Sequence, residues 1–174
     1  MTKQIVTVLG GTGLQGGGVV NALLSADKFA VRVTSRNPAS DAASALAARG
    51  VEAVKADLLE PASLSAALKG AHGTFVVTNF WDPDQGPRET EIGAAAVNAA
   101  RAAGVQHLIW STLPDSETLT GRRSKVIHFT GKARVDRVVR AAGFARHTFV
   151  QVPMYFQNLL NMMAPQPLPG GGRG

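Results

Sequence analysis

The stretch Ile5-Val6-Thr7-Val8-Leu9-Gly10-Gly11-Thr12-Gly13-Leu14-Gln15-Gly16 decides how this chain folds. Its first half is a short apolar run with β-branched residues, the pattern of a buried strand, and it runs straight into glycines. Beyond them, Leu14 to Ser25 carries Val19, Val20, Leu23 and Leu24 at the spacing of one helix face. The corner between the two holds Gly11-x-Gly13-x-x-Gly16, and equally Gly10-x-x-Gly13-x-x-Gly16. A tight strand-to-helix turn leaves backbone N–H groups unpaired at the positive end of the helix, where they attract an anion. Bare glycines let a pyrophosphate come close to the backbone, and the third glycine lets the helix pack tightly on the sheet. Such a pattern is weak alone; a strand before it and a helix after it are the context that ties it to dinucleotides. A Walker loop is excluded, because no Gly-Lys-Ser/Thr follows at the required spacing.

Outward from this corner the chain keeps alternating. Strands are expected at 30–35, 51–56, 74–78, 107–111 and 148–152, and helices at about 40–49, 61–70, 88–103 and 126–142. Glycines at 50, 70, 104 and 143 close the helices. A longer loop precedes the helix at 126, and a last helix is expected from Pro153 to Met163. Strands alternating with helices imply right-handed crossovers and a parallel sheet covered on both faces. About six strands in this rhythm predict an α/β, doubly wound, Rossmann-type fold over residues 1–163. The Pro- and Gly-rich residues 164–174 read as a tail, or a truncated linker to a missing substrate subdomain.

Composition narrows the class. A length of 174 residues suits one domain, and 45% hydrophobic against 17% charged residues is no disordered chain. No apolar run approaches the roughly 18 residues of a membrane span. The first residues lack the pattern of a secretory signal. With no cysteine, disulfide scaffolds, thiolate metal sites and cysteine nucleophiles are excluded, and a cytoplasmic protein is expected. The net charge of +6 suits an anionic partner, either a polynucleotide or a small phosphorylated molecule. Arg122-Arg123-Ser124-Lys125 is the longest basic cluster, with no interleaved aromatics and no nucleic-acid motif around it, so the small molecule is favoured. The four histidines show no metal-ligand spacing, and no G-x-S-x-G elbow marks a hydrolase.

The end of the second strand carries the next signal. Cofactors without a 2′-phosphate usually meet an acidic residue about 20 positions past the glycines. Here the sequence reads Val33-Thr34-Ser35-Arg36-Asn37. A carboxylate would repel a 2′-phosphate, whereas the Arg36 guanidinium can form charge-assisted bonds to it, which favours NADP(H) over NAD(H). Arg36 could otherwise be a solvated strand-end charge or stack on the adenine. Asp57-Leu58, past the third strand, is placed to border the adenine; Thr78-Asn79-Phe80, past the fourth, to lie beneath the pyrophosphate and nicotinamide ribose.

Gly10 to Gly16, the Arg36-Asn37-Pro38 corner, Val77 to Trp81, His128-Phe129-x-Gly131-Lys132 and Pro153 to Leu160 together resemble the NmrA-like family, atypical members of the short-chain dehydrogenase/reductase superfamily. The resemblance covers residues 3 to about 163; its first motif is widely shared, and the last three in combination are far more specific. It implies a Rossmann domain that binds NADP(H). The contacts it implies come from Gly10, Gly11, Thr12, Gly13, Leu14, Gln15, Gly16, Arg36, Asn37, Asp57, Leu58, Thr78, Asn79, Phe80, Lys132, Tyr155, Phe156, Gln157 and Asn158.

Short-chain dehydrogenases place a Tyr four residues before a Lys on one helix, and the Lys lowers the phenol's pKa. That spacing is filled here by His128 and Lys132, which share a helix face and could both point at the cofactor; the sole tyrosine, Tyr155, lies elsewhere. His128 could shuttle a proton or simply pack. Lys132 could act as general acid or base, as in the similar isoflavone-reductase-like enzymes, or bond the nicotinamide ribose. Ser111 ends the fifth strand where related dehydrogenases keep a hydroxyl. Members of the family generally continue for about a hundred residues more, which supply the substrate subdomain. An apolar terminal helix without that cover would expose a hydrophobic patch, to be covered by a homodimer contact or the missing subdomain. The expected function is an NADP(H)-binding redox or cofactor-sensing regulator that acts on a protein partner. The alternative is an NADPH-dependent reductase of a quinone or other small unsaturated substrate using Lys132 and His128.

Overall fold

The computed structural model describes residues 2–152, 154–160 and 163–164. Six strands, β1 (Gln4–Val8), β2 (Phe29–Ser35), β3 (Glu52–Lys55), β4 (Ala71–Val76), β5 (His107–Thr112) and β6 (Arg146–Gln151), form one sheet in the order β3-β2-β1-β4-β5-β6. Every pairing is parallel. The chain leaves β1 toward β2 and β3, then crosses back to lay β4 on the other side of β1. That reversal opens a crevice at the carboxyl ends of β1 and β4, where ligands bind in open α/β sheets.

Right-handed crossovers put the first two helices on one face and the later ones on the other. On the first face α1 (Leu14–Ala26) brings Val20 against Val8, Val31, Val33 and Phe75, and α2 (Asp41–Ala47) adds Leu46. On the second, α3 (Pro61–Leu68), α4 (Glu89–Ala102) and α6 (Ile127–Ala141) enclose Leu64, Leu68, Val97, Leu108, Trp110, Val135 and Val139. Trp110 is the largest side chain wholly removed from solvent, and its indole Nε1 donates to the Lys132 carbonyl at 3.3 Å. A buried indole therefore ties β5 to α6 beneath the crevice.

The expected elements are present with shifted ends. β4 spans Ala71–Val76 rather than 74–78, because its ladder with β1 begins at Ala71 opposite Ile5, through His72 and Gly73, which carry no apolar signal. At its other end Val77 and Thr78 leave the ladder and enter the crevice wall. β6 likewise starts at Arg146, paired with His107, ahead of the apolar residues. The loop before α6 contains a short helix, α5 (Ser116–Leu119), whose N-cap Asp115 accepts from the Glu117 and Thr118 amides.

The helix expected from Pro153 is, over the described residues, a 3₁₀ turn at Phe156–Leu160. Pro153 and Met162 lie outside the described residues, as does the expected tail apart from Ala164. Phe156 and Leu160 in this turn are 82% and 79% exposed. None of the described helices is long and apolar enough to cross a membrane.

Candidate functional site

The glycine corner closes as follows. Leu9, wholly buried past the end of β1, donates its amide to the Phe75 carbonyl at 2.8 Å. Gly10 then turns the chain at φ +78°, a left-handed conformation that favours glycine. Its carbonyl accepts from the Gly13 amide at 3.0 Å. Gly13 is the N-cap of α1 and offers no side chain to the first-turn amides, and the turn itself, Leu14-Gln15-Gly16-Gly17, contains no carboxylate. Gly16 faces the Gly10 carbonyl and the Gly11 Cα so closely that a Cβ would collide with backbone. The result is a helix N-terminus whose amides and dipole are open to an anion.

The corner floors a cavity of about 570 Å³, within the range of cofactor and substrate pockets. Of the residues expected in the site, Gly10, Thr12, Gly13, Leu14, Gln15, Gly16, Arg36, Asp57, Leu58, Thr78, Asn79, Tyr155 and Asn158 line it. They come from four strand ends and the 3₁₀ turn, and the parallel topology alone brings them together. Thr34, Ser35, Ala56, Val77, Trp81, Asp82 and Gln85 also line it and were not among the expected cofactor contacts. Six of these, all but Gln85, sit within two residues of one that was, so continuing each strand end by a residue or two would have found them. Asp82 and Gln85 belong to the turn after Trp81, where Asp82-Pro83-Asp84 reads as a solvated loop.

The other expected residues lie outside the lining. Gly11 backs onto Val33, and Asn37 turns its carboxamide oxygen to the Ala39 amide at 3.1 Å. Phe80 stacks edge-on with Trp81 and packs on the His128 ring, with centroids 5.2 Å apart in each case. Phe156 points to solvent, and Gln157 stands with it on the same exposed turn. His128 and Lys132 do not both face the groove. His128 is held in an aromatic cluster with Phe80, Trp81 and Phe129, where burial lowers its pKa.

Lys132 sits behind the groove wall. Its Nζ donates to the Thr78 carbonyl and the Thr78 Oγ1, both at 2.8 Å, and to Glu89 Oε1 at 2.7 Å. An ammonium has three N–H bonds, so all are engaged. Burial pushes the Lys132 pKa down, and the Glu89 carboxylate opposes it. Thr78 Oγ1 in turn donates to Glu89 Oε1 at 2.8 Å. Glu89 Oε2 is buried without a partner. Glu89 is the functional-looking residue that sequence reading missed: it stands 43 positions from Lys132, at the start of an unremarkable alanine-rich helix.

The sole tyrosine does reach the groove. Tyr155 donates its phenol to Gln15 Oε1 at 2.9 Å, and the Gln15 amide nitrogen donates to Ser111 Oγ at 2.8 Å. Ser111 Oγ also lies 3.0 Å from Gln15 Oε1, and burial raises the Tyr155 pKa. Ser111 and Tyr155 are thereby joined through the side chain of the glycine loop. At the opposite end of the groove, Arg36 Nη1 lies 3.8 Å from Asp82 Oδ2.

Several known proteins share this architecture. An NmrA-like oxidoreductase of Aspergillus hancockii is 37% identical over 163 residues, which are 91% of this chain and 49% of that protein. One of Cladobotryum is 35% identical over 90% of this chain and 48% of its own length. The chain thus spans about half the length of the curated relatives it matches. Among solved structures, NmrA, a negative transcriptional regulator, superposes with a TM-score of 0.82 at 27% identity, covering 99% of this chain and 53% of that one; it has been crystallised with NAD and with NADP. A triphenylmethane reductase of Citrobacter in complex with NADP(H) gives 0.73 at 25% identity over 90% of this chain and 52% of its own. The model of the NmrA-like family matches residues 2–172, and with the glycine corner, the switch-point groove and these relatives in agreement, the chain belongs to the NmrA-like family.

Proposed function

We propose that the groove binds NADP(H) in preference to NAD(H), and that the protein reports the state of this cofactor to a protein partner without the Tyr–Lys chemistry of a usual dehydrogenase. The observation that carries the reading is the pairing of an open glycine corner with Arg36 at the rim of the same groove. The corner supplies amides for the pyrophosphate, and the guanidinium supplies charge for a 2′-phosphate. The engagement of all three Lys132 N–H bonds by Thr78 and Glu89 supports the regulatory half, since no proton of that ammonium is directed at a substrate. NmrA, the regulator crystallised with NAD and with NADP, supports the same assignment. Trp81 lines the groove and is 76% exposed, so it serves as a built-in probe. NADPH should change its fluorescence at a lower concentration than NADH; equal affinity for the two would remove the role given to Arg36.

A second reading is favoured by two observations: the curated relatives are named oxidoreductases, and Tyr155 lines the groove with its phenol joined through Gln15 to the buried Ser111 hydroxyl. In it the full-length protein is an NADPH-dependent reductase of a quinone or other small unsaturated substrate. Steady-state NADPH oxidation against a quinone panel separates the two. Turnover that is lost in Lys132→Ala while NADPH binding is largely retained would defeat the regulatory reading.

A further inference from the structure

We propose that Asp82 sets how far the groove favours a 2′-phosphorylated dinucleotide, because it is a fixed negative charge that competes with that phosphate for Arg36. The inference rests on the NADP(H) reading above and gives that site a specificity determinant on a second loop.

The two partners are held very differently. The Asp82 side chain is 14% exposed, whereas that of Arg36 is 66% exposed. Asp82 Oδ1 accepts from the Asp84 amide at 3.0 Å and the Gln85 amide at 3.3 Å, while Oδ2 accepts from Gln85 Nε2 at 3.4 Å. The Gln85 side chain continues the brace, its Oε1 accepting from the Asn79 amide at 3.4 Å. The carboxylate is therefore locked by its own turn, while the guanidinium projects from the end of β2 largely into solvent. A phosphate that reaches Arg36 must take it from Asp82 or share it, and in either case settles near a carboxylate that cannot withdraw. A dinucleotide without the 2′-phosphate meets no such conflict. Repulsion between like charges about 6 Å apart, at effective dielectric constants between about 40 and that of water, amounts to about three- to tenfold in binding.

Asp82→Asn keeps an oxygen acceptor for the turn amides, removes the charge and gives up the 3.4 Å bond from Gln85 Nε2. Calorimetric titration of the wild type and this variant with NADPH, NADH, 2′,5′-ADP and 5′-AMP tests the proposal. The variant should bind NADPH and 2′,5′-ADP about three- to tenfold more tightly, with NADH and 5′-AMP changed by less than about twofold, and the gain should shrink as salt is raised. Asp82→Ser, which also offers an oxygen to the turn, should move in the same direction. Equal changes for phosphorylated and unphosphorylated ligands, or no change in either variant, would overturn the role of Asp82. Failure of the wild type to bind NADPH or 2′,5′-ADP would instead overturn the cofactor reading itself.

Discussion

At the scale of single residues, the chemistry of this protein turns on buried charge. Lys132 and Glu89 form an ion pair at 2.7 Å with side chains 11% and 3% exposed, and Thr78 bonds to both. Removing one member of such a pair strands the other in a medium that solvates it poorly. Lys132→Met should therefore lower stability by about 3–5 kcal/mol in chemical denaturation. The double variant Lys132→Met/Glu89→Leu should be less destabilised than the sum of the single changes, because neither charge remains. Additive losses would mean that the pair does not act as a unit.

His128 makes a second residue-scale prediction, and its sign follows from burial. Its imidazole titrates below the ordinary value of about 6.5 in the folded protein. As pH falls from 6.5, the unfolded chain takes up this proton first, so stability is lost through that window and is restored as pH rises again. His107 shifts in the same direction, also through burial, so His128→Phe should flatten the fall in Tm between pH 7 and pH 5 only in part. A steeper fall in that variant would contradict the assignment.

At the scale of elements, the strand-to-helix corner is the part least able to absorb change. A Cβ at Gly16 would meet the Gly10 carbonyl and the Gly11 Cα, which are backbone and cannot step aside as a rotamer would. Gly16→Ala should push α1 away from the corner, lower stability by about 1–3 kcal/mol and weaken dinucleotide binding at least tenfold, read by thermal unfolding and fluorescence titration. Wild-type affinity in this variant would show that the amides of α1 do not hold the ligand.

Elements are also where sequence and structure agree best. Each strand of the sheet is announced by an apolar or alternating run, and the glycines at 50, 70, 104 and 143 all adopt positive φ at the helix ends where they were expected. Local patterning fails where partners are distant. No local pattern gives Glu89 or Asp82 a role, because each gains its meaning from a cation that the crossovers bring close only after the sheet has formed. The placing of His128 and Lys132 on one helix face was correct as spacing. It could not reveal that one ring would be drawn into an aromatic cluster and that the ammonium would be taken up behind Thr78.

At the scale of the whole molecule, one topological fact organises the site. Because the strand order reverses between β1 and β4, the ends of β1, β2, β3 and β4 converge on one groove, with the glycine corner at its floor and Arg36 at its rim. The 3₁₀ turn at Phe156–Leu160 closes one side through Tyr155 and Asn158 and leaves Phe156 and Leu160 facing outward. The chain accounts for about half the length of its curated relatives. The groove that these residues build should take up the cofactor. A crystal structure of this chain soaked with NADP⁺ tests that most directly. The account predicts density for the diphosphate against the amides that begin α1 and for the 2′-phosphate against Arg36. An empty groove at saturating cofactor, or a dinucleotide bound with its phosphates away from the glycine corner, would contradict it.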